Sequence, residues 1–133
     1  MAVSEICCAD AFVTLASTQL PVQVDFYRAF LLLEPSLQTA SYAEFSLPGL
    51  RLAIFVPKLD NKTDNVSVFS AESSGAMSLC LEVEDLSAVI ARLRKLNYPP
   101  AGDIIHASHG QEIYAYDPDG NRLILHQAVA KAV

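Results

Sequence analysis

No stretch of this 133-residue chain is apolar for long: uninterrupted runs such as "AFLLL" reach five residues at most, far short of the roughly 20 residues that a membrane span needs. Basic residues are scarce as well, nine Lys and Arg against fifteen Asp and Glu, for a net charge of -6. The only local concentration of them is "RLRK". A surface of that sign argues against nucleic acid as a partner, because affinity there comes mostly from phosphate neutralisation. A neutral or cationic small molecule suits it better. The start "MAVSEICCAD" has neither a basic segment nor a long apolar one, which removes the secretory reading and predicts a cytoplasmic protein. Cysteines number three, two of them adjacent, and no CxxC or HxxxH spacing exists. A disulfide framework and a spaced zinc site are both unsupported. Cys7, Cys8 and Cys80 are expected to be reduced, in or near the core.

What the chain does have is 52% hydrophobic and 18% charged residues, the balance of a folded globular protein. Its length predicts one domain over residues 1–133. "AFVTLAST" (11–18) alternates like a strand. "VQVDFYRAFLLL" after Pro21 places Val22, Phe26, Phe30 and Leu33 at helical spacing, with Pro35 as the stop. "SLQTA", "YAEFSL" and "RLAIFVP" follow as three short strands, the last two joined by the turn pair "PG". A polar segment leads to "MSLCLEVEDLSAVIARLRKLN", a strand and then a helix opening at Glu84 and Asp85. Leu86, Val89, Ile90, Leu93 and Leu96 mark its buried face. "GDIIHAS", "EIYAYD" and "RLILHQ" supply three more strands, with "DPDGN" as the last turn. There Pro118 fixes φ while Gly120 and Asn121 tolerate positive φ.

The order β-α-β-β-β therefore occurs twice, displaced by 66 positions from Phe12 to Ser78. The expectation is an α+β fold of paired modules, residues 11–57 and 76–128, with 58–75 as the connection. Each four-stranded sheet buries one face under its helix and leaves the other to form a cleft, the usual place for a small molecule.

"LCLEVEDLSAVIARLRKLNYPP" followed by "YDPDGNRLILHQ" resembles the vicinal oxygen chelate superfamily, which includes glyoxalase I, bleomycin resistance proteins and extradiol dioxygenases. The family's second module opens on "VxDLxxxxxxL" and closes on "DPDGNxxEL". "FVTLAST" and "VDFYRAFLLLEP" are similar to its first strand and its "FYxxxLGxxP" helix. The resemblance implies paired βαβββ modules in an open, barrel-like arrangement, often with a divalent ion held by His, Gln or Glu, and often a homodimer. Carried over position by position, those ligands fall on Phe12, Ala53, Ser78 and Ile124. Phenylalanine, alanine and isoleucine offer no donor and serine a weak one, so the expectation is no metal and no cofactor at that place.

Strand parity puts Phe12, Thr14, Tyr42, Glu44, Arg51, Phe55, Ser78, Cys80, Glu82, His106, Glu112, Tyr114 and His126 on the cleft face with Ile124. Phe12, Thr14, Tyr42, Glu44, Phe55, Ser78, Glu112, Tyr114, Ile124 and His126 are the ligand-binding candidates. Tyr42, Phe55 and Tyr114 are stacking surfaces in that reading, and module packing in the plainer one. The favoured account of His126 is an exposed strand end, and that of His106 and His109 is solvated histidine in a predicted strand and turn. The sequence thus points to a metal-free binder of a small organic molecule. Its alternative is a glyoxalase-like lyase, isomerase or dioxygenase with a rebuilt metal site or Glu/His acid–base chemistry.

Overall fold

The computed structural model describes residues 8–58 and 77–129. Both halves of the expected order are present. The first holds β1 (Val13–Ala16), α1 (Leu20–Leu31), β2 (Leu37–Gln38), β3 (Tyr42–Leu47) and β4 (Leu50–Phe55). The second holds β5 (Ser78–Glu82), α2 (Leu86–Lys95), β6 (Ile105–Ala107), β7 (Gly110–Tyr116) and β8 (Arg122–Ala128). Apart from Lys58, the connecting segment 58–75 lies outside the described residues. Each module forms its own mixed sheet, in the orders β1-β4-β3-β2 and β5-β8-β7-β6. The first strand of each pairs in parallel with the last. The two sheets are separate, with β1 and β5 as inner edges.

One apolar cluster runs through both modules. Phe45, Leu52 and Ile54 from the first sheet and Leu123 and Leu125 from the second are fully buried against the helices. Asp85 caps α2, its carboxylate accepting from the Ala88 amide at 3.1 Å, which satisfies an amide that the helix itself leaves open. Leu86, Val89, Ile90 and Leu93 are the buried face of α2, as their spacing predicts. Across the modules, Tyr98 meets Phe26 edge-on at 5.2 Å, and Arg92 Nη1 donates to the Phe30 carbonyl at 2.8 Å.

Helix α1 departs from its expected limits. It takes in Pro21 in its first turn, where the missing N–H costs no hydrogen bond, and it ends before Pro35. Leu32, 68% exposed, sits in the left-handed region at φ 56°, and this residue terminates the helix. It stands at the glycine of the "FYxxxLGxxP" pattern. A left-handed leucine carries a strain of about 1–2 kcal/mol, and glycine loses about 0.5–1 kcal/mol in chain entropy. Leu32→Gly is therefore expected to stabilise the chain by about 0.5–1 kcal/mol. Urea unfolding reads the difference, and an unchanged or lower midpoint would contradict it.

The buried side of α1 also differs: Val22 is 43% exposed and Leu33 36%, while Gln23 and Tyr27 are fully buried. Their partner is Asp117 in the turn between β7 and β8. Its carboxylate accepts from the Tyr27 hydroxyl at 2.6 Å, Gln23 Nε2 at 3.0 Å and Asn121 Nδ2 at 2.9 Å. It also takes the amides of Asp119 and Asn121 at 3.0 and 2.9 Å. Burial, and next the charge of Asp117, push the Tyr27 phenol well above its ordinary range. In the same turn Gly120 has positive φ but Asn121 does not. Asn121 serves through its side chain, by bonding Asp117. "DPDGN" is thus a hairpin turn and also the bolt between the modules.

Candidate functional site

The faces of the two sheets turned away from the helices carry Thr14, Glu44 and Arg51 on one and Ser78, Tyr114 and His126 on the other. On the first sheet, Thr14, Ala53 and Glu44 lie in register across β1, β4 and β3. Arg51 organises this face. It lies over the Phe12 ring at 4.2 Å, pairs with Asp10 at 2.9 Å and approaches Glu44 at 3.5 Å. The Tyr42 hydroxyl donates to the other oxygen of Glu44 at 2.6 Å. That bond, made to the neutral phenol, is the first cause of a raised Tyr42 pKa. Phe12, Tyr42 and Glu44 are therefore brought together, and Phe55 is Tyr42's register partner on β4.

The second sheet repeats the geometry. Ser78, Arg122 and Tyr116 lie in one row across β5, β8 and β7, Cys80, Ile124 and Tyr114 in the next, and Glu82, His126 and Glu112 in a third. Arg122 Nε donates to the Ser78 hydroxyl at 2.6 Å. Cys80 is exposed, as is Cys8, against the expectation of core cysteines; Cys7 lies outside the described residues. The open face of the sheet, not the helix side, is where the parity of β5 directs Cys80. What burial its thiol has, followed by the Glu82 and Glu112 carboxylates, raises its pKa.

His106 is not on this face. The three-residue β6 pairs with β7 so that His106 opposes Gln111, which in turn opposes Gln127. This row points to the helix side, where Gln127 Oε1 accepts from the Leu86 amide at 2.6 Å. A strand so short has its register set by the β6–β7 hairpin and not by its own pattern. His109, which parity did not select, is on the open side instead, its Nδ1 2.8 Å from His126 Nε2.

The inner edges β1 and β5 border a cavity of about 270 Å³. Thr14, Leu50, Ser78, Cys80 and Arg122 are among its lining residues. Of the ten candidates, Thr14 and Ser78 line it. Phe12, Tyr42 and Glu44 form the cluster on the first sheet. Glu112, Tyr114, Ile124 and His126 lie along the open face of the second.

A family model of the glyoxalase/bleomycin resistance protein/dioxygenase superfamily matches residues 11–125. The chain belongs to this superfamily. Solved structures agree on its fold. One similar chain is a lactoylglutathione lyase from Agrobacterium tumefaciens, at 18% identity and TM-score 0.65, covering 91% of this chain and 95% of that one. Another is a fosfomycin resistance protein from Listeria monocytogenes, at 17% identity and TM-score 0.68, covering 93% and 96%. A bleomycin resistance determinant encoded on transposon Tn5 gives 20% identity and TM-score 0.63, covering 92% and 100%. No curated protein matches the sequence.

Superfamily membership makes the four metal positions a test of fit. Phe12 offers a ring face to Arg51, Ala53 is fully buried with no donor, and Ile124 is aliphatic. The Ser78 hydroxyl is bonded to Arg122. This set cannot assemble the three or four N, O or S donors that a divalent ion requires. The residues present do not fit an ion at that place. No helix among the described residues is long and apolar enough to cross a membrane.

Proposed function

We propose that the protein binds a small organic molecule at the seam between its modules, without a metal ion at the superfamily's usual position. The observation that carries this reading is the cavity of about 270 Å³ between the unpaired edges β1 and β5. Its size is just below the roughly 300–1,000 Å³ of small-molecule sites. Leucines line it together with the Ser78 hydroxyl and Arg122, a mixture that suits an amphipathic ligand. The acidic pI of about 4.8 favours a neutral or cationic one. The relatives include bleomycin and fosfomycin resistance proteins, and sequestration of a small molecule is compatible with a centre that has lost its donors. Large apolar side chains remain uncovered on the open faces, Phe12 and Tyr114 among them. They support a homodimer, and a cytoplasmic location is part of the same proposal.

A thermal-shift screen of amphipathic organic molecules tests the reading. A ligand held at 100 times its Kd is expected to stabilise the chain by about 2.7 kcal/mol. Ser78→Phe fills the seam and is expected to remove that shift. Equal stabilisation of Ser78→Phe by the same molecule would place binding elsewhere and sink the proposal. Native mass spectrometry of the same sample reads the dimer, and a monomer throughout the micromolar range would refute that part.

A further inference from the structure

A second set of ligating groups stands at the end of the second sheet remote from the "DPDGN" turn. Glu82, His126 and Glu112 are in register across β5, β8 and β7, so their side chains rise from one face in a single row. His109, in the β6–β7 hairpin, reaches over this row from above. Both Glu82 oxygens contact His126 Nδ1, Oε2 at 2.9 Å. A carboxylate only accepts, so Nδ1 carries a proton, and in the neutral ring, the form that ligates a metal, Nε2 holds the lone pair. That lone pair faces His109 Nδ1 at 2.8 Å. Ligating atoms of His109, Glu112 and His126 all lie within 4.8 Å of one another.

We infer that His109, Glu112 and His126 form a binding site for a first-row divalent ion of the Zn²⁺ kind. Two imidazoles and one carboxylate are a donor set suited to such an ion, and three protein ligands leave a position for water or another molecule. Donors around a tetrahedral ion at about 2.0–2.1 Å stand about 3.3–3.5 Å apart. The triad must therefore close by little more than about 1 Å at its widest, while the two imidazoles separate by about half an ångström. His109 is exposed and Glu112 only half-buried, so both have room to make that adjustment. Glu82 is the positioning residue: its bond to Nδ1 holds the ring of His126 and fixes its tautomer, as carboxylates do behind metal-bound histidines. Charge balances too, since two carboxylates and two neutral rings offset one divalent cation. None of the three ligands is at Phe12, Ala53, Ser78 or Ile124, so the site is separate from the place where the superfamily resemblance puts an ion. Its row is two residues, about 7 Å, beyond the row of Cys80, and Cys80 lines the seam cavity.

Calorimetric titration of the full chain with Zn²⁺, under reducing conditions after chelator dialysis, tests the site. One ion per chain is the expected result. His109→Ala and His126→Ala are each expected to weaken binding at least 100-fold. Glu82→Gln is expected to weaken it about 10- to 100-fold, and Ser78→Ala to leave it unchanged. His109 is an exposed hairpin residue, so its variant is expected to keep the wild-type circular dichroism spectrum and isolate the ligand effect. The visible absorption of bound Co²⁺ gives an independent reading of a tetrahedral N/O environment. Absence of saturable Zn²⁺ binding would overturn the inference. So would wild-type affinity in the folded His109→Ala variant, which would assign the ion to other groups such as the cysteines.

Discussion

Replacing Asp117 with alanine is expected to lower stability by about 3–5 kcal/mol. The carboxylate accepts five hydrogen bonds, two of them from the fully buried Tyr27 and Gln23 of the other module. Truncation leaves those two donors without partners in a place water does not reach, at about 1–3 kcal/mol for each. It also frees two turn amides. In a chain of this size the melting temperature is expected to fall on the order of 10 °C or more. A double-mutant cycle separates this mechanism from simple turn loosening. Once Asp117 is gone, Tyr27→Phe is expected to cost far less than in the wild type, because the bond it deletes no longer exists. Additive losses, or a loss below about 1 kcal/mol for Asp117→Ala, would refute the bolt.

Gly110→Ala is expected to follow at about 2–4 kcal/mol, and for a steric reason. Gly110 has φ +147°, and a Cβ there would stand 2.2 Å from the backbone oxygen of Gln127 and 3.1 Å from the Ala128 Cα. Neither neighbour is the far end of a flexible side chain, so β7 and β8 would have to separate where they pair, Gly110 with Ala128. Backbone strain and forced repacking each contribute about 1–3 kcal/mol. The disturbance reaches α2 as well, because the Gln127 side chain accepts from the Leu86 amide. Hydrogen exchange at Leu86 is expected to quicken. Gly102→Ala is the control: nothing stands within 4 Å of its Cβ position, and its unfolding midpoint is expected to stay within about 0.5 kcal/mol of wild type. Equal effects at the two glycines would rule out the steric account.

The architecture was legible in the sequence because two local signals agreed. Alternation in "SLCLEV" and the 3.6-residue period of Leu86, Val89, Ile90 and Leu93 each fix one buried face, and their order recurs 66 positions apart. Less legible was whatever depends on a partner distant in the chain. Gln23 and Tyr27 look like the polar margin of α1 until Asp117, 94 and 90 residues away, takes their hydrogen bonds. His106 and His109 are a related case. Both belong to a hairpin whose strand is three residues long, too short for periodicity to assign a face. A "HASH" spacing followed by a histidine in the last strand was the available hint of a cluster. It gains meaning only once the β6–β7 turn carries His109 over β8. Phe12, Ala53, Ser78 and Ile124 were readable from sequence alone, because a missing donor needs no geometry.

The brevity of β2 and β6, two and three residues, bears on how copies of this chain meet. These strands form the outer rims of the two sheets, and a rim that short gives a foreign strand few amides and carbonyls to pair with. Lateral growth of sheet upon sheet is thereby discouraged at high concentration. For the dimer proposed above, that leaves the open faces and the inner edges as the surfaces on which two copies would meet.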